Sequence, residues 1–354
     1  IGETFQQYRF GSPFEDPIET NMPHSWMKNP GVFAEWSKPF TDRWTTAIGG
    51  RADYVSTSAR ASDLRPTTNL DSTELNNSDI LYAFYLTNTY KLSEHQAVTA
   101  GFGYAQRPPT LIERYADGLF ISSLQSGFTR VIGDPELRPE RDWQVDLGYK
   151  VDKERWRGSA RAYYSWVVDY VTFFDDSVSD FDDARLLRYV NTPLATLTGF
   201  ELYGEYDVTT KLTPFAAMSY TEGRDEHLDA PLPAISPLEG TVGLRYHDSE
   251  KGKRWSIDTG ARMVATQNEL GTIEMFNGPV VVEQRTPGFT VCYIRGYWNY
   301  TKNLRLIAGI DNVFNRNYQE HLDLRLSGPT GFPAPETQAL RPGISPYFGL
   351  NWLF

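Results

Sequence analysis

No stretch of this chain runs apolar for the ~18 residues that a helix needs to cross a bilayer. Charges interrupt every hydrophobic segment, which closes the helical route into a membrane. Cysteine is nearly missing too: Cys292 stands alone in 354 residues, so neither an intrachain disulfide nor a thiolate metal cluster can form. Its setting, FTVCYIRGY, reads as a strand in which the thiol is a small side chain. Cationic excess is also lacking. Lys and Arg total 34 against 45 Asp and Glu, for a net charge of -11, and no basic stripe exists to hold phosphates, so a nucleic-acid partner is excluded. Catalytic signatures are equally scarce. The histidines His24, His95, His227, His247 and His321 show no HExxH spacing, GFGYAQ lacks the third glycine of a dinucleotide loop, and no Gly-rich segment ends in Lys-Ser or Lys-Thr. The chain is expected not to be an enzyme and to require no cofactor.

What the chain does have is aromatic residues, 21 Tyr, 20 Phe and 9 Trp in a sequence of low mean hydropathy. They fall into a rhythm. In RDWQVDLGYKV, Trp143, Val145, Leu147, Tyr149 and Val151 share one face, with Asp142, Gln144, Asp146, Gly148 and Lys150 on the other. WRGSARAYYSWVVDYV and GFELYGEYDV repeat the alternation, the mark of strands whose two faces meet different surroundings. The connections alternate as well. Short polar turns stand at Lys38 to Arg43, Ser93 to His95, Asp152 to Arg155, Thr209 to Lys211, Ser249 to Lys253 and Thr301 to Asn303. Between them lie long segments rich in Pro, Gly, Asp and Asn, near 9–30, 59–77, 108–140, 174–195, 223–238, 267–288 and 317–342.

Tight turns on one side and elaborated loops on the other are the habit of an up-and-down barrel held in a membrane. Lipid offers no partners to backbone N–H and C=O groups, so with helices excluded a closed barrel remains. The fold expected is all-β: an antiparallel up-and-down transmembrane β-barrel wall of about 13 to 14 strands. The apolar faces meet lipid, the polar faces line an aqueous interior, and tryptophans at strand ends form interfacial girdles. A large soluble β-protein is the alternative, but it would need a second layer and would leave the loop asymmetry unexplained.

Several segments resemble the C-terminal part of the barrel of TonB-dependent outer-membrane receptors. They are RPPTLIERY (Arg107 to Tyr115), GDPELRPERDWQVDLGY (Gly133 to Tyr149), NTPLATLTGFELYGEY (Asn191 to Tyr206), LRLIAGIDNVFNRNYQEH (Leu304 to His321) and a last strand ending on an aromatic. Each is weak alone, but their order and spacing match across most of the chain. The resemblance implies a bacterial outer-membrane receptor for active transport of a scarce solute, such as a siderophore, haem, cobalamin or a metal ion. It implies lipid and lipopolysaccharide around the wall, the barrel assembly machinery as a partner, and a TonB energy-coupling complex acting through a plug domain. Such barrels have about twenty-two strands, so the chain, which opens on IGETFQQYRF without an initiator Met, is expected to be one portion of the barrel, with the plug outside it. An independent fourteen-strand barrel, a passive porin and a membrane-embedded enzyme are the alternatives.

Four groups of residues are singled out. Arg107, Glu113, Arg114, Tyr115, Asp117 and Phe120 stand where a strand leaves the membrane; by the resemblance their loop faces a substrate vestibule, where cations and aromatics could grip an anionic chelate. The bland reading is that Arg107 and its Pro-Pro step only set the loop's exit angle. Asp175, Asp176, Asp180, Asp182 and Asp183 crowd one loop and could hold Ca²⁺, but the glycine-centred twelve-residue calcium loop is absent and a solvated acidic loop is the preferred reading. Phe354, Trp352, Leu350 and Phe348 share the greasy face of the closing strand, and the terminal aromatic resembles the family's assembly signal. Arg51, Asp53, Asp142, Asp146, Arg161, Asp169, Glu201, Glu205, Arg245, Asp258, Arg262, Arg295 and Asp311 are expected to form ion-pair ladders on the inner wall.

Overall fold

The computed structural model describes residues 21–64, 68, 70, 74–121, 123–125, 128–177, 185–250, 252–326 and 337–352. Among them thirteen strands form the wall: β1 (Gly31–Pro39), β2 (Trp44–Ala59), β3 (Asn76–Ser93), β4 (Gln96–Arg107), β5 (Glu140–Asp152), β6 (Trp156–Asp175), β7 (Arg185–Tyr206), β8 (Leu212–Asp225), β9 (Glu239–His247), β10 (Trp255–Val264), β11 (Phe289–Asn299), β12 (Leu304–Asp311) and β13 (Ser345–Trp352). Each pairs antiparallel with the next. Connections alternate short and long as expected, and all six short ones coincide with the turns named above. Among the described residues β1 pairs with β2 alone on its ladder side and β13 with β12 alone, so the wall is an open sheet. Among the described residues no helix is long and apolar enough to cross a membrane.

The register carries the period-two pattern from strand to strand. Ile48 stands opposite Leu86, Leu86 opposite Phe102, Phe102 opposite Val145 and Val145 opposite Tyr164. Further along, Leu244 faces Thr259, Thr259 faces Ile294, Ile294 faces Ile310 and Ile310 faces Pro346. One side of the sheet is therefore largely apolar, with the first row running on to Thr198 and Glu222. Leu147 (67%), Phe348 (69%) and Leu350 (66%) are exposed on it, and so broad an exposed apolar face is what lipid requires and water penalises. Cys292 lies on this face opposite Ala261. Aromatics gather at the short-turn edge: Trp36 and Phe40 stack edge-on at 6.2 Å, Tyr246 lies 5.1 Å from Trp255, and Trp298 meets Tyr300 at 90°. Amphipathic rings at that level match a membrane interface. Trp352 stands on the apolar side opposite Leu304, and Phe354 lies outside the described residues.

The wall is one layer thick, so the packed cores sit on the long-loop side. One core joins Leu70, Leu75, Leu111, Tyr115 and Ile132; the other joins Leu124, Leu187, Ile273 and Val282. β6 and β7 are the longest strands, 20 and 22 residues, and their tips extend the same sheet with two further hairpins. Asp169 adopts a left-handed φ of 57°, and the register steps from Thr192↔Tyr170 to Leu194↔Val168, so the ladder is interrupted around Pro193, which has no N–H to give it. Beyond this irregularity the hairpin of Asp117–Ile121 and Phe128–Ile132 joins β7 in parallel, Arg185 opposite Thr129. A second hairpin, Thr272–Met275 with Gly278–Val281, joins β6 with Glu274 opposite Phe174. The long loops thus share backbone hydrogen bonds with the wall and form a roof.

Candidate substrate vestibule

The loop after β4 is organised by a single turn of helix, α1 (Leu111–Tyr115). Thr110 caps it: its hydroxyl accepts the Glu113 N–H at 3.2 Å while the Glu113 carboxylate accepts the Thr110 N–H at 2.6 Å, a reciprocal box that satisfies two donors at once. Arg107 forks onto Glu140, Nε to Oε2 at 2.6 Å and Nη2 to Oε1 at 2.8 Å, and reaches Glu113 Oε2 at 2.9 Å through Nη1. Two carboxylates therefore already engage this guanidinium, and it ties the strand end to the helix.

The neighbours are similarly committed. Arg114 is buried, donating to the Pro135 carbonyl at 2.7 Å and to Asp79 at 2.9 Å. Tyr115 is fully buried; its hydroxyl donates to the Leu75 carbonyl at 3.0 Å and lies 3.1 Å from the Thr57 hydroxyl. Asp117 is buried and accepts the Thr68 hydroxyl at 3.0 Å. Gly133 passes so close to the helix that a Cβ there would lie 2.5 Å from the Arg114 carbonyl carbon. Five of the six candidate residues thus wedge the loop into place, and Phe120, half-buried on the first roof hairpin opposite Thr129, is the sixth.

The inner face of the wall carries the expected ion pairs in part. Arg51 meets Asp53 at 2.6 Å, Arg245 bridges Glu205 and Asp258 at 3.1 and 3.2 Å, and Arg295 meets Asp311 at 2.9 Å. Arg262 pairs instead with Glu239 and Glu320, both at 2.6 Å, and Asp169 with Arg138 and Arg141 at the rim. Arg157, absent from the expected set, joins Glu205 and Asp207. Asp142, Asp146, Arg161 and Glu201 make no ion pair among the described residues. Three of them border two inward grooves. One, of about 510 Å³, has Glu35, Arg51, Tyr85 and Asp142 over a floor of Gly49 and Gly103; the other, of about 340 Å³, has Arg161, Glu201, Tyr203 and Ser219.

In the acidic loop, Asp175 pairs with Arg185 at 3.3 Å and Asp176 with Arg188 at 3.0 Å. Asp180, Asp182 and Asp183 lie outside the described residues. No group of three or more candidate metal ligands occurs among the described residues. The residues that sequence reasoning missed are Gln125, Glu283 and His321, which meet inside the roof from three different loops. Burial acts to raise the Glu283 carboxyl, but hydrogen bonds from His321, Ala234 and Gly271 outweigh it and leave the group below the usual carboxylate range.

A sequence profile described as TonB dependent receptor-like, beta-barrel, matches residues 2–313. The chain belongs to the TonB-dependent receptor family. Among its relatives is the heme/hemopexin utilization protein C of Haemophilus influenzae, 26% identical over 251 residues that cover 67% of this chain and 34% of that protein. The hemoglobin-haptoglobin-binding protein A of the same organism is 26% identical over 281 residues, covering 70% of this chain and 25% of its own length. Among solved structures, the copper transporter OprC superposes with a TM-score of 0.73 at 25% identity, covering 96% of this chain and 49% of OprC. The FrpB iron transporter of Neisseria meningitidis has a TM-score of 0.62 at 16% identity, covering 94% of this chain and 46% of its own, and shows the shared fold. This TonB-dependent receptor chain spans about a third or less of those curated relatives and about half of those solved barrels. Members of the family are outer-membrane transporters and receptors rather than enzymes.

Proposed function

We propose that this chain supplies wall and roof to an outer-membrane receptor that actively takes up a metal-bearing solute, with haem the foremost candidate. The observation that carries the reading is the family match over a wall whose outward side is largely apolar from strand to strand. Haem is favoured because the relatives named above are called haem and haemoglobin proteins; iron and copper appear in the names of the solved relatives. In this reading lipid and lipopolysaccharide surround the wall, the closing strand with Phe348, Leu350 and Trp352 is offered to the assembly machinery, and the inner grooves beside Asp142, Arg161 and Glu201 face a plug moved by the TonB complex.

Growth tests the reading. The complete gene product, expressed in a bacterium stripped of its own haem receptors, is expected to restore growth on haem as the iron source and to lose that growth when the energy-coupling protein is deleted. Growth that survives the deletion would make the protein a passive channel. Restoration by ferric siderophore or copper alone would move the substrate and keep the transport reading.

A further inference from the structure

Four long loops converge on one buried carboxylate. Glu283, in the connection before β11, accepts the Ala234 N–H at 2.6 Å through Oε1 and the Gly271 N–H at 2.8 Å through Oε2. The latter oxygen also faces His321 Nε2 at 3.2 Å, and both side chains are 1% exposed. Ala234 belongs to the loop before β9 and His321 to the loop before β13. The fourth loop, which follows β4, arrives as Gln125. Its Oε1 accepts the Gln284 N–H at 2.9 Å, and its Nε2 donates to the His321 carbonyl and lies 3.2 Å from His321 Nδ1.

The backbone groups fix how the Gln125 amide is turned. Because a backbone N–H must meet an acceptor, Gln125 turns its oxygen to Gln284 and its NH₂ to His321. Nδ1 faces that NH₂ and lies 3.0 Å from the Thr286 hydroxyl. Nε2, on the other side of the ring, faces Glu283 Oε2. Arg325 encloses the pair, donating to Gln284 Oε1 at 2.6 Å and Thr286 Oγ1 at 3.1 Å. A buried network is worth more than its separate bonds, and removing one member strands the others without water. Beneath it the apolar cluster of Leu124, Ile273 and Val282 draws on two of the same loops.

We propose that Glu283, His321 and Gln125 are a latch that holds these four loops together as one body, and that breaking it frees the loops while leaving the wall in place. The latch acts whichever solute the receptor carries, so its failure and the failure of the haem reading are separable.

Hydrogen exchange, read peptide by peptide on the complete gene product in outer-membrane vesicles, tests it. His321→Ala is expected to speed exchange tenfold or more in 117–132, 228–236, 265–288 and 315–326, with 143–151 and 241–247 unchanged. Glu283→Gln, of the same shape, is expected to reproduce the pattern, since its amide must turn a donor toward the Ala234 or the Gly271 N–H. The double variant should exceed neither single one, because the residues act as a unit. Gln125→Ala, the gentlest change, should free 117–132 alone. Acceleration confined to 315–326, multiplying effects in the double variant, or faster exchange in the wall peptides would each overturn the latch.

Discussion

Leu147→Arg is expected to destabilise the wall by about 2–4 kcal/mol, the cost of a cation near the middle of a lipid-facing strand. The residue is well placed for it. Leu147 lies mid-way along β5, two-thirds exposed on the apolar face, between Ala100 and Ala162 on the flanking strands. Neither neighbour offers the guanidinium a hydrogen-bond acceptor, so the charge must distort the bilayer or leave the strand. Asp146→Asn, one residue away but pointing inward over Gly101, is expected to cost under about 0.5 kcal/mol. Denaturant unfolding of the complete gene product in lipid vesicles measures both. Equal effects would mean that the two faces meet the same medium, and the barrel reading would fall with them.

Tyr115→Ala should be the most damaging change on the roof side, at about 3–5 kcal/mol, the usual cost of emptying a large buried aromatic site. The ring fills the core of Leu70, Leu75, Leu111 and Ile132, and its hydroxyl ties the loop after β4 to β2 through Thr57 and to the segment before β3 through Leu75. Losing both cuts α1 loose. Proteolysis should then cleave within 108–139 at least a hundred times faster, since each 1.4 kcal/mol is a factor of ten, with the β5 to β13 wall resisting as before. Tyr115→Phe keeps the ring and strands only the hydroxyl's partners, so about 1–2 kcal/mol is expected. If the two variants cleave alike, the ring's packing is not what holds the loop.

The wall was legible in the sequence because a bilayer imposes a strict rule on every strand: alternate residues must be apolar, and turns on one side stay short. Trp143 to Val151 displays that rule within a single segment, and the register later bears it out strand by strand. Nothing comparable governs the loops. Arg114 and Tyr115 read as vestibule groups because charge and aromaticity at a membrane exit suggest exposure; their burial depends on Asp79 and Thr57, 35 and 58 residues away. Glu283 and His321 are 38 apart, and Gln125 and His321 are 196 apart, separations at which one sequence carries no pairing signal. One roof element did leave a trace. The Asn277-Gly278 doublet before Pro279, Val280 and Val281 is a hairpin signal, and Gly278 has the positive φ of 113° that a side chain would resist.

Cys292, by contrast, owes its interest to solitude. The chain's sole thiol projects from the outward side of the wall, three residues inside the long-loop end of β11, or roughly 10 Å along the strand at about 3.3 Å per residue. Within this chain it is a single handle at the outer-leaflet depth. A nitroxide attached there is expected to relax readily with dissolved oxygen, which concentrates among acyl chains, and poorly with a water-soluble nickel chelate. A probe on this side chain thus becomes a depth gauge, reporting how far this wall sits in its membrane.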